Sequence, residues 1–313
     1  MAVMGIGIPI GVSLWPEPGA ANDVTDVIDQ VTAARAAGVR SVWFGQRFDL
    51  DSLVLAGVVA QAVDGIGVGT SVVPINPRHP VVVASAAQTV QAASRGRFRL
   101  GLGLGAAAIE DAVYGIREPK PVRRLREYLT ALRQLIEEGG ADIDGESLRA
   151  RPTSPTTVHG GQQVPLLVAA LGPQALRVAG ELADGVLPFL TGPRTLESHI
   201  LPSLERARPR QAPAAQVVAG VVALVTDRAA ELREQALAAL GFYEGIPSYR
   251  AALDREKVTR AADLALIGTE EEVAEGLRAY AGAGATELWV SRSGLGDAAE
   301  RDRTVALLGQ LTA

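Results

Sequence analysis

Short apolar runs suited to β-strands alternate along this chain with longer runs whose apolar residues recur every three or four positions, and the alternation repeats eight times. Behind Asn22, a good helix cap, Val24, Val27, Ile28, Val31 and Ala34 fall on one helical face. Strands are predicted at Gly5–Ile10, Val39–Phe44, Ile66–Val73, Phe98–Leu104, Val164–Ala170, Gly185–Leu187, Val217–Val225 and Glu287–Ser291. Helices are predicted between them: over Asp51–Val63, from Pro80 to about Ala93, along Val122, Leu125, Leu129, Leu132 and Ile136, over Pro173–Leu182 and Arg194–Ala207, after the Thr269 to Glu272 capping box, and near Arg301–Leu311. Residues 228–266 read as mainly helical with a break at Gly245-Ile246-Pro247. The strands are apolar on both faces, as buried parallel strands are. Eight such units predict a single (β/α)8 TIM barrel over residues 1–313, with a polar surface excursion at about 139–163. An open doubly wound sheet is the competing architecture; the count of eight and the lack of an early phosphate fingerprint favour the barrel.

Composition narrows the function. The chain has no cysteine, which excludes disulfides, a thiol nucleophile and a Cys-ligated metal. His79, His159 and His199 are its three histidines, and none lies within helical spacing of another, so no zinc site is expected. A formal charge of −5 argues against nucleic acid. The longest apolar runs, such as Val217–Val225, fall short of the roughly 18 residues a membrane span needs. No targeting segment is recognisable, and a cytoplasmic protein acting on a small molecule is expected.

In a barrel the active site lies at the C-terminal ends of the strands. There the chain places Trp15, Gln46, Arg47, Ser71, Val72, Gly103, Gly105, Glu110, Ala169, Ala170, Gly172, Pro173 and Phe189. The glycine run 101–105 reads either as small residues lining a tight mouth or as a cofactor approach. Gly172-Pro173 reads either as a turn opening a helix or as an anion site on that helix's free amides. Glu110 and Asp111 are either first-turn acids that suit a helix dipole or groups able to exchange a proton. Arg47 either holds an anion or is solvated, Trp15 and Phe189 either wall a substrate pocket or pack loops, and His79 stands at a loop-to-helix junction. His159 is expected to be exposed.

Four runs in order carry a resemblance: Gly69-Thr70-Ser71-Val72, Gly96-Arg97 through Leu100-Gly101-Leu102-Gly103, Gly172-Pro173-Gln174-Ala175-Leu176, and Ala183-Asp184-Gly185. The chain resembles the luciferase-like family of flavin- and deazaflavin-dependent oxidoreductases over nearly its whole length, least clearly at 139–163 and 226–266. The resemblance implies a (β/α)8 barrel. It also implies coenzyme F420, with FMN as the alternative, since the 69–72 run looks like the deazaflavin branch. It implies a non-proline cis peptide at Ser71–Val72, with Val72 against the rear of the bent ring. The cofactor would be held by Gln46, Ser71, Val72, Gly103, Gly105, Ala169, Ala170, Gly172 and Pro173.

Departures from the family pattern bear on the chemistry. Sugar-phosphate-oxidising members carry an Asp-His pair after strand two and a Glu after strand four; Gln46, Arg47 and Ala106 stand there in this chain. Gln46, Arg47 and Glu110 remain as candidate catalytic groups, with Trp15 and Phe189 lining the substrate pocket. The expected activity is hydride transfer between coenzyme F420 and a small organic substrate. An FMN-dependent monooxygenase and a non-catalytic cofactor binder are the alternatives. The apolar helix at 51–63 (Leu53, Val54, Leu55, Val58, Val59) predicts a homodimer.

Overall fold

The computed structural model describes residues 4–161 and 163–312. The strands are β1 (Ile10–Val12), β2 (Ser41–Phe44), β3 (Gly67–Thr70), β4 (Val73–Pro74), β5 (Phe98–Gly103), β6 (Ile143–Asp144), β7 (Arg149–Ala150), β8 (Leu166–Ala169), β9 (Gly185–Val186), β10 (Gln216–Val225), β11 (Leu266–Gly268) and β12 (Glu287–Ser291). The helices that matter below are α1 (Asp23–Ala36), α2 (Ser52–Ala62), α3 (Pro80–Ala93), α4 (Ala107–Ile109), α5 (Pro121–Arg133) and α6 (Pro173–Leu182). The remaining helical stretches are given by residue number.

Seven predicted strands fall within about two residues of their expected starts. The first does not. Gly5 and Gly7 stay outside the ladder; pairing begins where Leu288 N–H donates to Pro9 C=O at 3.1 Å, with Ile10 opposite Leu288. Glycine and proline weaken a central strand, so an apolar run that contains both is a poor guide to where pairing starts. The excursion at 139–163 holds the antiparallel pair β6–β7, which the sequence pattern did not reveal.

The chain divides into two compact units. One comprises residues 1–43, 187–205 and 216–313. Its strands run parallel in the order β11-β10-β12-β1-β2. Gly11 lies against Ser41, and the Ser41 hydroxyl links two distant groups: it accepts from Trp43 Nε1 at 3.0 Å and donates to buried Glu287 at 2.6 Å. Asn22 caps α1 through Thr25 N–H at 2.9 Å, as its sequence position predicts. Thr269 and Glu272 form the predicted capping box at the start of the 270–282 helix.

The other unit comprises residues 44–186 and 206–215, with parallel order β3-β5-β8-β9 and β4 also on β5. Arg97 secures its helix-to-strand turns by donating to the carbonyls of Ala60 and Ile66. Between Gly69, opposite Arg99, and Val73, opposite Leu102, lie three residues on one strand and two on the other. The extra residue makes a bulge at 70–72. Thr70 fills the gap in the ladder with its side chain: Oγ1 accepts from Gly101 N–H and donates to Gly101 C=O, both at 2.9 Å.

Candidate functional site

The bulge ends in a cis peptide at Ser71–Val72. Main-chain bonds anchor it to the end of β2: Ser71 N–H donates to Phe44 C=O at 2.8 Å, and Gln46 N–H donates to Val72 C=O at 3.1 Å. Val72 is half-buried and presses on Gly103, whose added Cβ would lie 2.6 Å from Val72 Cγ2. Val72 takes up the space over Gly103, so position 103 has room for glycine and not for a larger residue.

Gln46 is a junction. Its Oε1 accepts from Ser52 Oγ at 3.0 Å, Ser52 N–H at 3.3 Å and Arg78 at 3.0 Å, while Nε2 donates to Arg47 C=O at 2.7 Å. Arg78 also pairs with Asp51, which caps α2 through Leu53 N–H at 3.0 Å and Val54 N–H at 3.1 Å. Burial pushes the Asp51 carboxyl up, but these amides and Arg78 pull it down further, leaving it below the usual carboxylate range. Arg47 is exposed and grips Asp49 through two bonds of 2.7 and 2.6 Å, which holds that carboxyl well below its usual range.

Beyond β5 the chain runs through Gly105 into α4 and a wide π-type turn at Glu110–Tyr114. Glu110 is buried at 6% exposure. Its Oε2 accepts from buried Asn76 at 3.2 Å, and Oε1 packs beneath Gly105 with no hydrogen-bond partner among the described residues. Glu110, Asp111, Arg117 and Glu118 line a cleft of about 550 Å³ together with Leu104 and Gly105.

At the end of β8, Ala169 and Ala170 lead to Gly172, which precedes Pro173 of α6. No side chain caps this helix. Gly172 has φ −78° and ψ 149°, ordinary extended backbone, and an added Cβ would meet nothing within 4 Å. Glycine is not needed here for its conformation: the open space above the helix start, not the backbone angle, sets the position apart. Open space beside uncapped amides suits a phosphate.

His79 is structural in form. It caps α3 by accepting Val81 N–H on Nδ1 at 3.3 Å, and its Nε2 lies 2.8 Å from Arg149 C=O on β7. His159 is exposed, as its place in the polar excursion predicts. In the first unit Trp15 is half-buried, with its carbonyl accepting from Gln30 at 2.9 Å. Phe189 is also half-buried and stacks on Trp289 with centroids 5.3 Å apart. The sequence reading missed Gln46's role as a junction, Asn76 opposite Glu110 and Trp289 behind Phe189. The contacts that matter, Gln46 to Arg78, Asn76 to Glu110 and Phe189 to Trp289, join residues 32 to 100 positions apart, with no local pattern to announce them.

Residues 4–287 match the family model for luciferase-like monooxygenases, and the chain belongs to that family. It is 31% identical over 182 residues to an F420-dependent glucose-6-phosphate dehydrogenase of Intrasporangium calvum, covering 52% of this chain and 53% of that protein. The chain spans about half the length of the curated relatives it matches. Its structure aligns with the coenzyme F420-dependent tetrahydromethanopterin reductase of Methanopyrus kandleri at a TM-score of 0.79 and 20% identity, covering 97% of each chain. A type II Baeyer-Villiger monooxygenase of Pseudomonas putida, in complex with FMN, aligns at 0.74 and 16% identity over 98% of each chain. The fold is the luciferase-like (β/α)8 barrel, as the eightfold alternation predicts.

Proposed function

We propose that this protein is an oxidoreductase that transfers hydride between coenzyme F420 and a small, uncharged organic substrate. The observation that carries this reading is the bulge at 70–72 set against Gly103, in the same unit as the uncapped start of α6. These residues fit a flat ring with a phosphate-bearing tail. Val72, seated over Gly103, would back the ring, Ala169 would leave room for its edge, and the amides after Gly172 would take the phosphate. Bound F420 supplies a ring carbon that gives or accepts hydride. Gln46 serves as a positioning residue, tying the bulge to α2 and Arg78. Glu110 would hold the proton that a reduced carbonyl oxygen needs, with Asn76 fixing the orientation of its carboxyl. The F420-dependent names among the relatives support the cofactor choice.

The exposed Val54 and Val58 on α2, with Val82 on the neighbouring α3, support a homodimer through this face. Among the described residues no helix is long and apolar enough to cross a membrane.

Titration of the protein with coenzyme F420 and, separately, FMN, followed by cofactor fluorescence, tests the cofactor assignment. Saturable F420 binding tighter than that of FMN is the expected result. Tight FMN binding with no F420 response would overturn it in favour of an FMN-dependent monooxygenase.

A further inference from the structure

Aromatic residues make up only 4% of this chain, yet five of them meet in one place within the first unit. Phe189 stacks on Trp289 at 5.3 Å with 17° between planes, and Tyr243 meets Phe189 edge-on at 5.5 Å. Tyr249 and Phe242 extend the group, at 4.9 and 5.7 Å from Tyr243. Core aromatics such as Trp43 and Phe98 are fully buried, whereas Phe189, Tyr243 and Tyr249 keep part of their surface exposed. Phe189 follows the end of β9 and bridges to Gly220 on β10. It thus stands at a strand's C-terminal end, where barrel sites are built.

Two further observations point to a ligand. Trp289 is 5% exposed, and its Nε1–H, a group that can only donate, has no acceptor among the described residues. Its ring lies flat over Gly220, where an added Cβ would come within 2.8 Å of Nε1. Arg292, three residues past Trp289, is paired with Glu17, as is Arg301. An anionic substrate would find the Arg292 guanidinium already paired.

We propose that the cluster of Phe189, Trp289 and Tyr243 is the substrate-recognition surface, and that it selects an uncharged, flat ring compound with an acceptor oxygen beside the ring, such as an aryl ketone. This rests on the oxidoreductase reading for its role but concerns residues of the first unit alone. The half-exposed aromatic faces take the ring by stacking or edge contact. Trp289 Nε1–H takes the oxygen.

Isothermal titration calorimetry without cofactor tests the proposal, using acetophenone, acetone, ethylbenzene and glucose 6-phosphate as probes. Acetophenone is expected to bind at least tenfold more tightly than acetone, and glucose 6-phosphate not to bind. Phe189→Leu should weaken acetophenone at least fivefold and leave acetone and the F420 dissociation constant within twofold. Trp289→Phe keeps the ring and loses the donor, so it should weaken acetophenone but not ethylbenzene. Equal affinity for acetophenone and acetone, binding of the sugar phosphate in preference to both, or an acetophenone affinity unmoved by Phe189→Leu would overturn it. Because no cofactor is present, a failed F420 titration sinks the hydride-transfer reading without touching this result, and the reverse also holds.

Discussion

Val72 closes the space over Gly103 so completely that a single added methyl at 103 would lie 2.6 Å from Val72 Cγ2. The atom met is a methyl on a β-branched side chain, so relief requires the Val72 side chain to turn or its strand to shift. Gly103→Ala is expected to displace Val72 and weaken F420 binding at least tenfold, about 1.4 kcal/mol. Overpacking itself should cost about 1–3 kcal/mol of stability. Fluorescence titration and urea unfolding of the same variant check both figures. An unchanged F420 affinity would detach Val72 from the cofactor.

Gly172 offers the opposite case. Its backbone angles suit any residue, and its surroundings are open. Gly172→Val should therefore fold with a melting temperature within a few degrees of wild type. If a phosphate occupies the space beside the free amides of α6, the same variant should bind F420 tenfold or more weakly. Affinity that does not move removes this turn from the cofactor site.

Glu110 can be tested by an isosteric change. Glu110→Gln keeps an acceptor for Asn76 Nδ2 and the packing beneath Gly105, but cannot carry a proton to substrate. Turnover should fall by roughly 10²–10⁴ with F420 affinity unchanged, the range for loss of a general acid. A variant as active as wild type would assign the proton to water.

Acid should act through Asp51. Its folded pKa lies below the unfolded value of about 3.9, so its contribution is present above that pH and is lost as pH falls through the folded pKa. Asp51→Asn still caps α2 but loses the charge facing Arg78. With both partners partly exposed, the difference from wild type should be at most about 1 kcal/mol at pH 7. It should shrink toward zero as the pH falls below 4. Urea unfolding at several pH values measures it, and a difference that grows in acid contradicts the assignment.

The apolar face of α2 sets the expected assembly. Val54 is 65% exposed and Val82 61%. Light scattering at micromolar concentration should report twice the 32.6 kDa of one chain. Val54→Glu with Val82→Glu should shift the particle to a monomer. A wild-type monomer at that concentration ends the dimer proposal.

Periodicity made the repeating strands and helices legible because each depends on neighbours a few residues away. The short pairings β4, β6, β7 and β11 lack enough residues to show a period. Strand-end positions such as Ser71, Gly103 and Gly172 could be found from their order along the chain. What those residues touch could not. The hold of Ser52 and Arg78 on Gln46, and of Trp289 on Phe189, joins segments 6 to 100 residues apart, and only the folded chain brings them together.

The extra residue opposite Leu100-Gly101 also constrains how this chain can change length. Side chains on a strand alternate between faces, so one residue decides the parity of everything beyond it. Removing any one of residues 70–72 would let β3 run straight into β4 against β5. A strand freed of its bulge would turn one of the flanking segments over, exchanging the inward and outward sides of Val73 and Pro74 or of Val68 and Gly69. The locus can thus accept new side chains one at a time, but a single-codon deletion there would be read by the whole strand.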